Sequence, residues 1–332
     1  MSPSNSAGRK PDVSVVVAAW NVEDYLAASV ESALSQENVS VEVIVVDDAS
    51  DDGTPAVAKR LAAQDPRIIA IGSSENAGPS AARNRAIAAA TGAWIAVLDA
   101  DDRFAPSRLQ MLLSEAKAQS ADVVFDQFQE VDPNGEEIPE STAPRFVEPR
   151  SWTLADWVEA NRPRRRGAEM PPGYLKPLIR REFLAEHHLA YREALRNSED
   201  YLLIAEILAA GGVVWSTNEI GYFYTRREGS ISHRIGPDHL KALLEAEHQI
   251  FADRLVTFDD ATRKALTTRS AGLEDALACE RVIASFKDGS LLSVPRILWA
   301  RPSAVPLVLA WGAEVMEKRI ARFRAVLGLS TK

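Results

Sequence analysis

The sequence predicts an α/β fold, with a mostly parallel central sheet flanked by helices and a helical extension at its C-terminal end. Three observations carry that expectation. Through residues 11–125, short β-branched runs alternate with segments of helical period. Two of those runs end in crowded acids, Asp47-Asp48 and Asp99-Ala100-Asp101-Asp102. Beyond Gly236 the pattern is helical alone.

Taken in order, residues 13–18 are a short β-branched run and so a buried strand. Leu26, Val30, Ala33 and Leu34 follow at helical spacing, and residues 41–46 make a second strand. Asp51-Asp52-Gly53 reads as a turn, Thr54 as an N-cap and Pro55 as the first helical residue. Residues 67–71 form a third strand. Gly78-Pro79 opens a helix that Gly92 ends. Residues 94–98 and 121–128 are the fourth and fifth strands.

Residues 129–150 are polar and proline-bearing, with a turn at Asp132-Pro133-Asn134-Gly135. Trp152, Leu154, Trp157 and Val158 then predict a short helix, and residues 174–179 a strand. Asn197 or Ser198 caps a helix over 199–210, closed by Gly211-Gly212, and residues 213–216 and 221–225 are extended. Leu240, Leu243, Leu244 and Ile250 form one helical stripe. The last helical pattern, 297–325, mixes Trp299 and Trp311 with Arg301, Lys318, Arg319 and Arg322, and is interrupted at Pro302 and Pro306. It suits docking onto the protein's own core better than lying on a membrane surface, which stays open.

Composition narrows the class. The 332 residues are 46% apolar and 26% charged, ordinary for a globular protein with a substantial core. A net charge of −9 argues against a nucleic-acid binder. The single cysteine, Cys279, has no internal disulfide partner, which fits a reducing, cytoplasmic setting. Residues 1–10 read as a disordered polar tail without a signal peptide's apolar core. No run reaches the ~18 apolar residues of a membrane span.

The acids carry the chemistry. Asp99, Asp101 and Asp102 crowd one strand exit, where like charges repel unless a divalent cation compensates. In an α/β sheet, ligands bind outside the carboxyl ends of the strands, where both acidic clusters fall. A calcium loop of EF-hand type is excluded, because counting from Asp99 puts Phe104 sixth and Gln110 twelfth, and counting from Asp48 puts Lys59 twelfth. Helix capping before Pro106 would explain one acid and leave the others unexplained.

Five pieces stand in sequence: Val15-Val16-Val17-Ala18-Ala19-Trp20-Asn21; Val45-Val46-Asp47-Asp48-Ala49-Ser50-Asp51-Asp52-Gly53-Thr54; Asn76-Ala77-Gly78-Pro79-Ser80-Ala81-Ala82-Arg83-Asn84; Leu98-Asp99-Ala100-Asp101-Asp102; and Ser198-Glu199-Asp200. Together they make residues 11–230 resemble the family-2 glycosyltransferases of the GT-A fold. The stretch from Gly173-Tyr174-Leu175-Lys176-Pro177 to Arg226-Arg227-Glu228-Gly229-Ser230-Ile231-Ser232 is most similar to bacterial exopolysaccharide enzymes of the succinoglycan type. Trp20 stands where the family usually has tyrosine and keeps a stacking surface.

The resemblance implies a nucleotide-sugar-binding half at 11–125, an acceptor-binding half with the catalytic base at 126–236, and a helical extension at 237–332 of unassigned role. Asp48 would accept a hydrogen bond from the nucleotide base, framed by Ala18 and Trp20, and its match points to a UDP-sugar donor. Arg83 would reach the phosphates. Asp99 and Asp101 match the family's Asp-x-Asp pair, which contacts ribose and a divalent cation, Mn2+ or Mg2+. Asp102 is a further metal candidate, and the choice between Asp101 and Asp102 as direct ligand stays open. Asp200 would be the general base of a single displacement with inversion; its plainer reading is stabilisation of its own helix end.

Arg226, Arg227 and His233 would lie on a loop over the diphosphate, His233 as an extra metal ligand, and each has a solvated-loop alternative. The cluster from Arg162 to Arg166 either meets a lipid-linked pyrophosphate acceptor at the inner face of a membrane or is a solvated basic turn. The implied acceptor is a saccharide or lipid-linked saccharide, and nothing in the sequence indicates an oligomeric state. A nucleotidyltransferase would want glycines and basic residues where Ala18-Ala19-Trp20-Asn21 stands, and a dehydrogenase Gly-x-Gly-x-x-Gly. A non-catalytic nucleotide- or carbohydrate-binding partner in a polysaccharide assembly complex would tolerate a broken acid set, which this chain does not have.

Overall fold

A computed structural model describes residues 10–139, 141–163, 169–227 and 236–326. The expectations for residues 1–9, for Arg164 to Arg166 and for His233 fall outside the described residues. Residues 1–233 and 234–332 form two units, each with its own core.

In the first unit, β1 (Val13–Ala19), β2 (Val41–Asp47), β3 (Ile68–Gly72) and β4 (Trp94–Asp99) run parallel in the order β3-β2-β1-β4. Val13, Val15, Val16 and Val17 are all fully buried, the continuous apolar run expected of a strand covered on both faces. The crossovers are α1 (Leu26–Leu34), α2 (Thr54–Gln64) and α3 (Pro79–Ala89). Ala82, Ala86 and Ala90 lay a small-residue stripe against Val16, Ile44, Val46, Ile95 and Val97. Gly92 ends this crossover where a Cβ would stand 2.6 Å from the Ser14 amide nitrogen, so the close approach requires glycine. With β1 between β2 and β4, the strand order reverses beside it, which opens a crevice at the strands' carboxyl ends.

The sheet continues through β5 (Arg103–Phe104), β6 (Val123–Val131), β7 (Arg150–Trp152), β8 (Leu178–Arg180) and β9 (Val214–Thr225). It is mixed. β8 runs antiparallel between β4 and β6, β6 pairs parallel with β9, and β5 and β7 pair antiparallel with β9. The remaining helices of this unit are α4 (Arg108–Gln119), α5 (Leu154–Ala160), α6 (Arg181–Glu186) and α7 (Glu199–Ala209). In the second unit, α8 (Pro237–Phe251) and α9 (Asp260–Lys287) pack together, followed by α10 (Ser293–Ala300) and α11 (Val305–Val326). No helix among the described residues is long and apolar enough to cross a membrane.

Local details depart from the sequence reading. Gly53, not Thr54, is the N-cap of α2. Thr54 is buried and its hydroxyl instead accepts from the Val22 amide at 2.9 Å, tying α2 to the start of α1. Residues 174–179 are mostly not strand: Pro172–Tyr174 is a 3-10 turn and only Leu178–Arg180 joins the sheet, because Pro177 has no N–H to give a ladder. The two extended segments at 213–225 are one strand, β9, whose pairing with β6 shifts register around Gln127. β5 and β7 have two and three residues and exist only through pairing with β9, which no local periodicity announces. The turn at 132–135 forms as expected, with Asp132 Oδ1 accepting from the Asn134 and Glu136 amides.

One buried ion pair braces the strands behind the crevice. Arg108 donates to Asp126 at 2.9 and 2.7 Å and to the Lys176 carbonyl at 2.7 Å, while both charged side chains are fully buried. Its guanidinium carbon lies 4.3 Å from the Phe104 ring centre and 5.1 Å from that of Tyr222, beside both rings. Gly221 makes room, since a Cβ there would meet Asp126 Oδ2 at 2.6 Å. Asp126→Ala, which strands a buried guanidinium, should cost about 3–5 kcal/mol in urea unfolding.

Candidate active site

The site assembles at the carboxyl edge of β1, β2 and β4. Parallel register sets Ala18 opposite Asp99 and Ala19 opposite Asp47, so the acidic ends of β2 and β4 flank the end of β1. Trp20 follows with its ring 42% exposed. Asp48 is buried, and its two carboxylate oxygens accept from the amides of Ala77 (3.0 Å) and Gly78 (2.7 Å). These bonds hold the loop before α3 against the end of β2. The Asp48 side chain therefore shapes this loop.

Five buried or half-buried charges meet beneath Asp99. Arg83 donates to Asp99 at 2.6 Å and to Glu199 at 2.5 Å, and lies 3.6 Å from Asp200. Lys176 Nζ is 3.0 Å from Asp99 and 2.9 Å from Asp200. The Tyr191 hydroxyl donates to the other Asp200 oxygen at 2.9 Å. Each element contributes for a stated reason. β8 runs beside β4, and the Val97 amide bonds the Pro177 carbonyl at 3.2 Å, which brings Lys176 to the strand exit. Ser198 turns into α7 with a left-handed φ of 62° and makes no side-chain cap bond. Glu199 and Asp200 accordingly point into the network, and Asp200 binds Lys176 and Tyr191 where a purely helix-stabilising acid would face its own amides.

Electrostatics follow from these distances. Burial would raise the Asp99 carboxyl, but Lys176 and Arg83 together override it and hold the group well below the usual carboxylate range. Burial would lower the Lys176 ammonium; Asp200 and Asp99 instead push it well above the ordinary lysine value. Burial lifts Glu199, and Arg83 opposes that. Burial and the Asp200 charge raise the Tyr191 phenol, so it stays a proton donor.

The other acids of the strand exit are separated by partner. Asp102 is buried and accepts from the Tyr222 hydroxyl and the Thr225 amide, both at 2.7 Å. The same hydroxyl accepts from the Asp99 amide at 3.1 Å, which fixes the loop on β9. Burial and the neighbouring Asp101 and Asp99 charges raise Asp102 well above the carboxylate range. Asp101 is 2.5 Å from Arg227, whose guanidinium also lies 5.5 Å from the Tyr25 ring centre. Burial and Asp99 push Asp101 up, against the pull of Arg227.

Two candidate phosphate-binding arginines are paired with acids in this structure. Arg83 does not project toward open crevice; it is 3% exposed and committed to the carboxylates, because uncompensated acids there would be too costly to bury. Arg226, just past the end of β9, pairs with Glu130 on β6 at 2.7 Å, and Arg227 reaches Asp101 at the β4 exit. Arg162 pairs with Glu159 at 2.7 Å. Sequence reasoning assigned no role to Lys176, Tyr191 or Tyr222. Lys176 lies inside the Gly173–Pro177 motif, and a lysine beside a proline at a strand entry was the one signal available.

Among the described residues no three His, Cys, Asp or Glu side chains stand together as a cage for a metal. The acids do fit the other arrangement, in which one or two carboxylates share a cation with substrate phosphates. Asp99 and Asp101 are half-buried at the exit; burial first, and the neighbouring acids after it, raise Asp101 and Asp102, and added positive charge would oppose both.

A sheet with this order and acids at its carboxyl edge has the GT-A architecture of nucleotide-sugar enzymes. The family model "Glycosyl transferase family 2" matches residues 14–184, and the chain belongs to that family. It is 37% identical over 313 residues to the succinoglycan biosynthesis protein ExoO of Rhizobium meliloti, covering 94% of this chain and 88% of that protein. The fold is similar to S. aureus TarS 1-349 in complex with UDP-GlcNAc, at a TM-score of 0.58 and 18% identity over 88% of this chain and 92% of that one. It is also similar to the mannosyltransferase PcManGT of Pyrobaculum calidifontis in complex with GDP-Man and Mn2+, at 0.57 and 18% over 93% and 81%.

Lys176→Met tests the network through pH. The folded Asp99 is depressed, so its contribution to stability is present above the ordinary Asp value and lost as pH falls through the lower folded value. The variant should therefore lose several degrees of Tm at neutral pH. That deficit should shrink below about pH 4, where the carboxylates protonate. A deficit independent of pH in a Tm series would assign Lys176 a packing role only.

Proposed function

We propose that this chain transfers a sugar, with inversion, from a nucleotide-sugar donor, a UDP-sugar, to a hydroxyl of a growing exopolysaccharide or lipid-linked acceptor. The carrying observation is the Lys176 bridge, which joins the donor-side acid Asp99 to the candidate base Asp200. Membership of the family and the similarity to ExoO support the reaction class and the kind of product. The neighbours in complex with UDP-GlcNAc and with GDP-Man support a nucleotide-sugar donor.

In this reading Trp20 offers its exposed ring to the base, and Ala18 leaves the adjoining floor low. Asp48 secures the loop that bounds the base site, and each of its oxygens keeps a further lone pair. Asp99 and Asp101 would hold Mn2+ or Mg2+ with the donor phosphates, where the ion supplies Lewis-acid support for the leaving charge. Asp102, spent on Tyr222 and Thr225, shapes the loop, so Asp101 is the better direct ligand. Arg227 exchanges Asp101 for a diphosphate oxygen, a substitution its guanidinium geometry favours.

Asp200 takes the proton of the acceptor hydroxyl as that oxygen attacks the anomeric carbon and the bond to the diphosphate breaks. Lys176 and Tyr191 hold the carboxylate in one orientation, and the Arg83 guanidinium lies 3.6 Å away. One base and one displacement give inversion.

Calorimetric titration of UDP, GDP and dTDP, each with and without Mn2+, tests the donor side. UDP binding should require the metal, be removed by EDTA and be lost in Asp101→Asn; absence of binding by every nucleotide would reject the reading. With the donor identified, Asp200→Asn should lower kcat by about 10²–10⁴ with donor affinity unchanged, as measured by initial rates and calorimetry.

A further inference from the structure

The second unit carries a feature the reaction does not use. On α10, Leu292 at the N-cap and Trp299 lie seven residues apart on one helix face and are 97% and 88% exposed. Arg296 lies between them and is also exposed, while Val294, Ile297 and Leu298 on the other side are half-buried. α11 repeats the arrangement. Pro306, Leu309, Ala313 and Met316 share one face at helical spacing and all are exposed, Leu309 by 69% and Met316 by 62%. Exposed large apolar side chains occur singly on most proteins, but two consecutive helices with apolar outward faces need a partner.

The chemistry of that partner is set by charge. The whole chain has a net charge of −9, yet residues 289–326 carry six basic and two acidic residues. Arg301 is spent on Asp275 and Glu274 of α9, both at 2.5 Å, which anchors the corner between α10 and α11. Arg296 stands free of such a pair on the exposed face of α10, and neither helix, of 8 and 22 residues, qualifies as a span among the described residues. Apolar face, interleaved arginine and an outward tryptophan match the interface of an anionic bilayer, where acyl chains accept the leucines and headgroups the guanidinium. A twofold pairing with a second copy would instead set like charge against like.

We infer that α10 and α11 form a docking surface for an anionic phospholipid membrane, holding the protein peripherally on it. The surface lies in the second unit and is independent of the donor chemistry proposed above.

The test is co-sedimentation of the full chain with phosphatidylcholine vesicles, with and without phosphatidylglycerol, alongside Leu292→Ser/Trp299→Ser and Leu309→Ser/Met316→Ser. The unmodified chain should sediment with anionic vesicles and be released by high salt. Each double variant should bind about tenfold more weakly while its circular dichroism and UDP affinity stay unchanged. Failure of the unmodified chain to bind anionic vesicles would overturn the inference, and this arm depends on no variant. Binding that ignores both double variants would also overturn it. So would a solution dimer that the same variants dissociate, which would assign the two faces to a second copy.

Discussion

The structure depends on burying Lys176 between Asp99 and Asp200. These residues come from three different elements: the exit of β4, the entry to β8 and the first turn of α7. Desolvating so many charges is expensive, and the arrangement persists because nearly every charge has a partner within about hydrogen-bond reach and the phenol of Tyr191 satisfies the remaining Asp200 oxygen. The position of β8 follows from the same need. Its antiparallel insertion beside β4 delivers a lysine where a parallel strand would deliver another carboxyl-end loop. The Arg108–Asp126 pair then holds the Lys176 backbone from behind.

Three carboxylates at one strand exit remain compatible with folding because each faces a different counter-group. Asp99 is held by two cations, Asp101 by one arginine, and Asp102 by a hydroxyl and an amide. The environments separate their proton affinities, Asp99 downward and the other two upward. Divided duties follow: one acid is joined to Asp200 through Lys176, one pairs with Arg227, and one fixes the loop through Tyr222. Since Tyr222 also receives the Asp99 amide, β9 sets the shape of a loop that belongs to β4.

The second unit answers to different physics. α8 and α9 bury Leu240, Leu243, Leu266 and Leu273 in an ordinary helical core, with Glu247 and Arg269 paired inside it at 2.7 Å. α10 buries none of its residues fully, although its composition is mostly apolar. A helix that turns Leu292 and Trp299 to solvent around a single arginine is built for a surface that arrives from outside.

The amino-acid sequence by itself determined what depends on local periodicity and short motifs: the four parallel strands, their crossover helices, the acidic exits at Asp48 and Asp99–Asp102, and the proline break between α10 and α11. Such features need only neighbours within a few residues. Tertiary structure alone decided which acid meets which base. Arg83 turned inward, Arg227 replaced Arg226 at the acids, and Lys176 and Tyr191 reached Asp200 across chain separations of 24 and 9 residues. The tiny strands β5 and β7 are equally illegible in sequence, because their stability lies entirely in the long partner strand β9. A local pattern records which face of an element is buried; what waits on that face is a property of the packed chain.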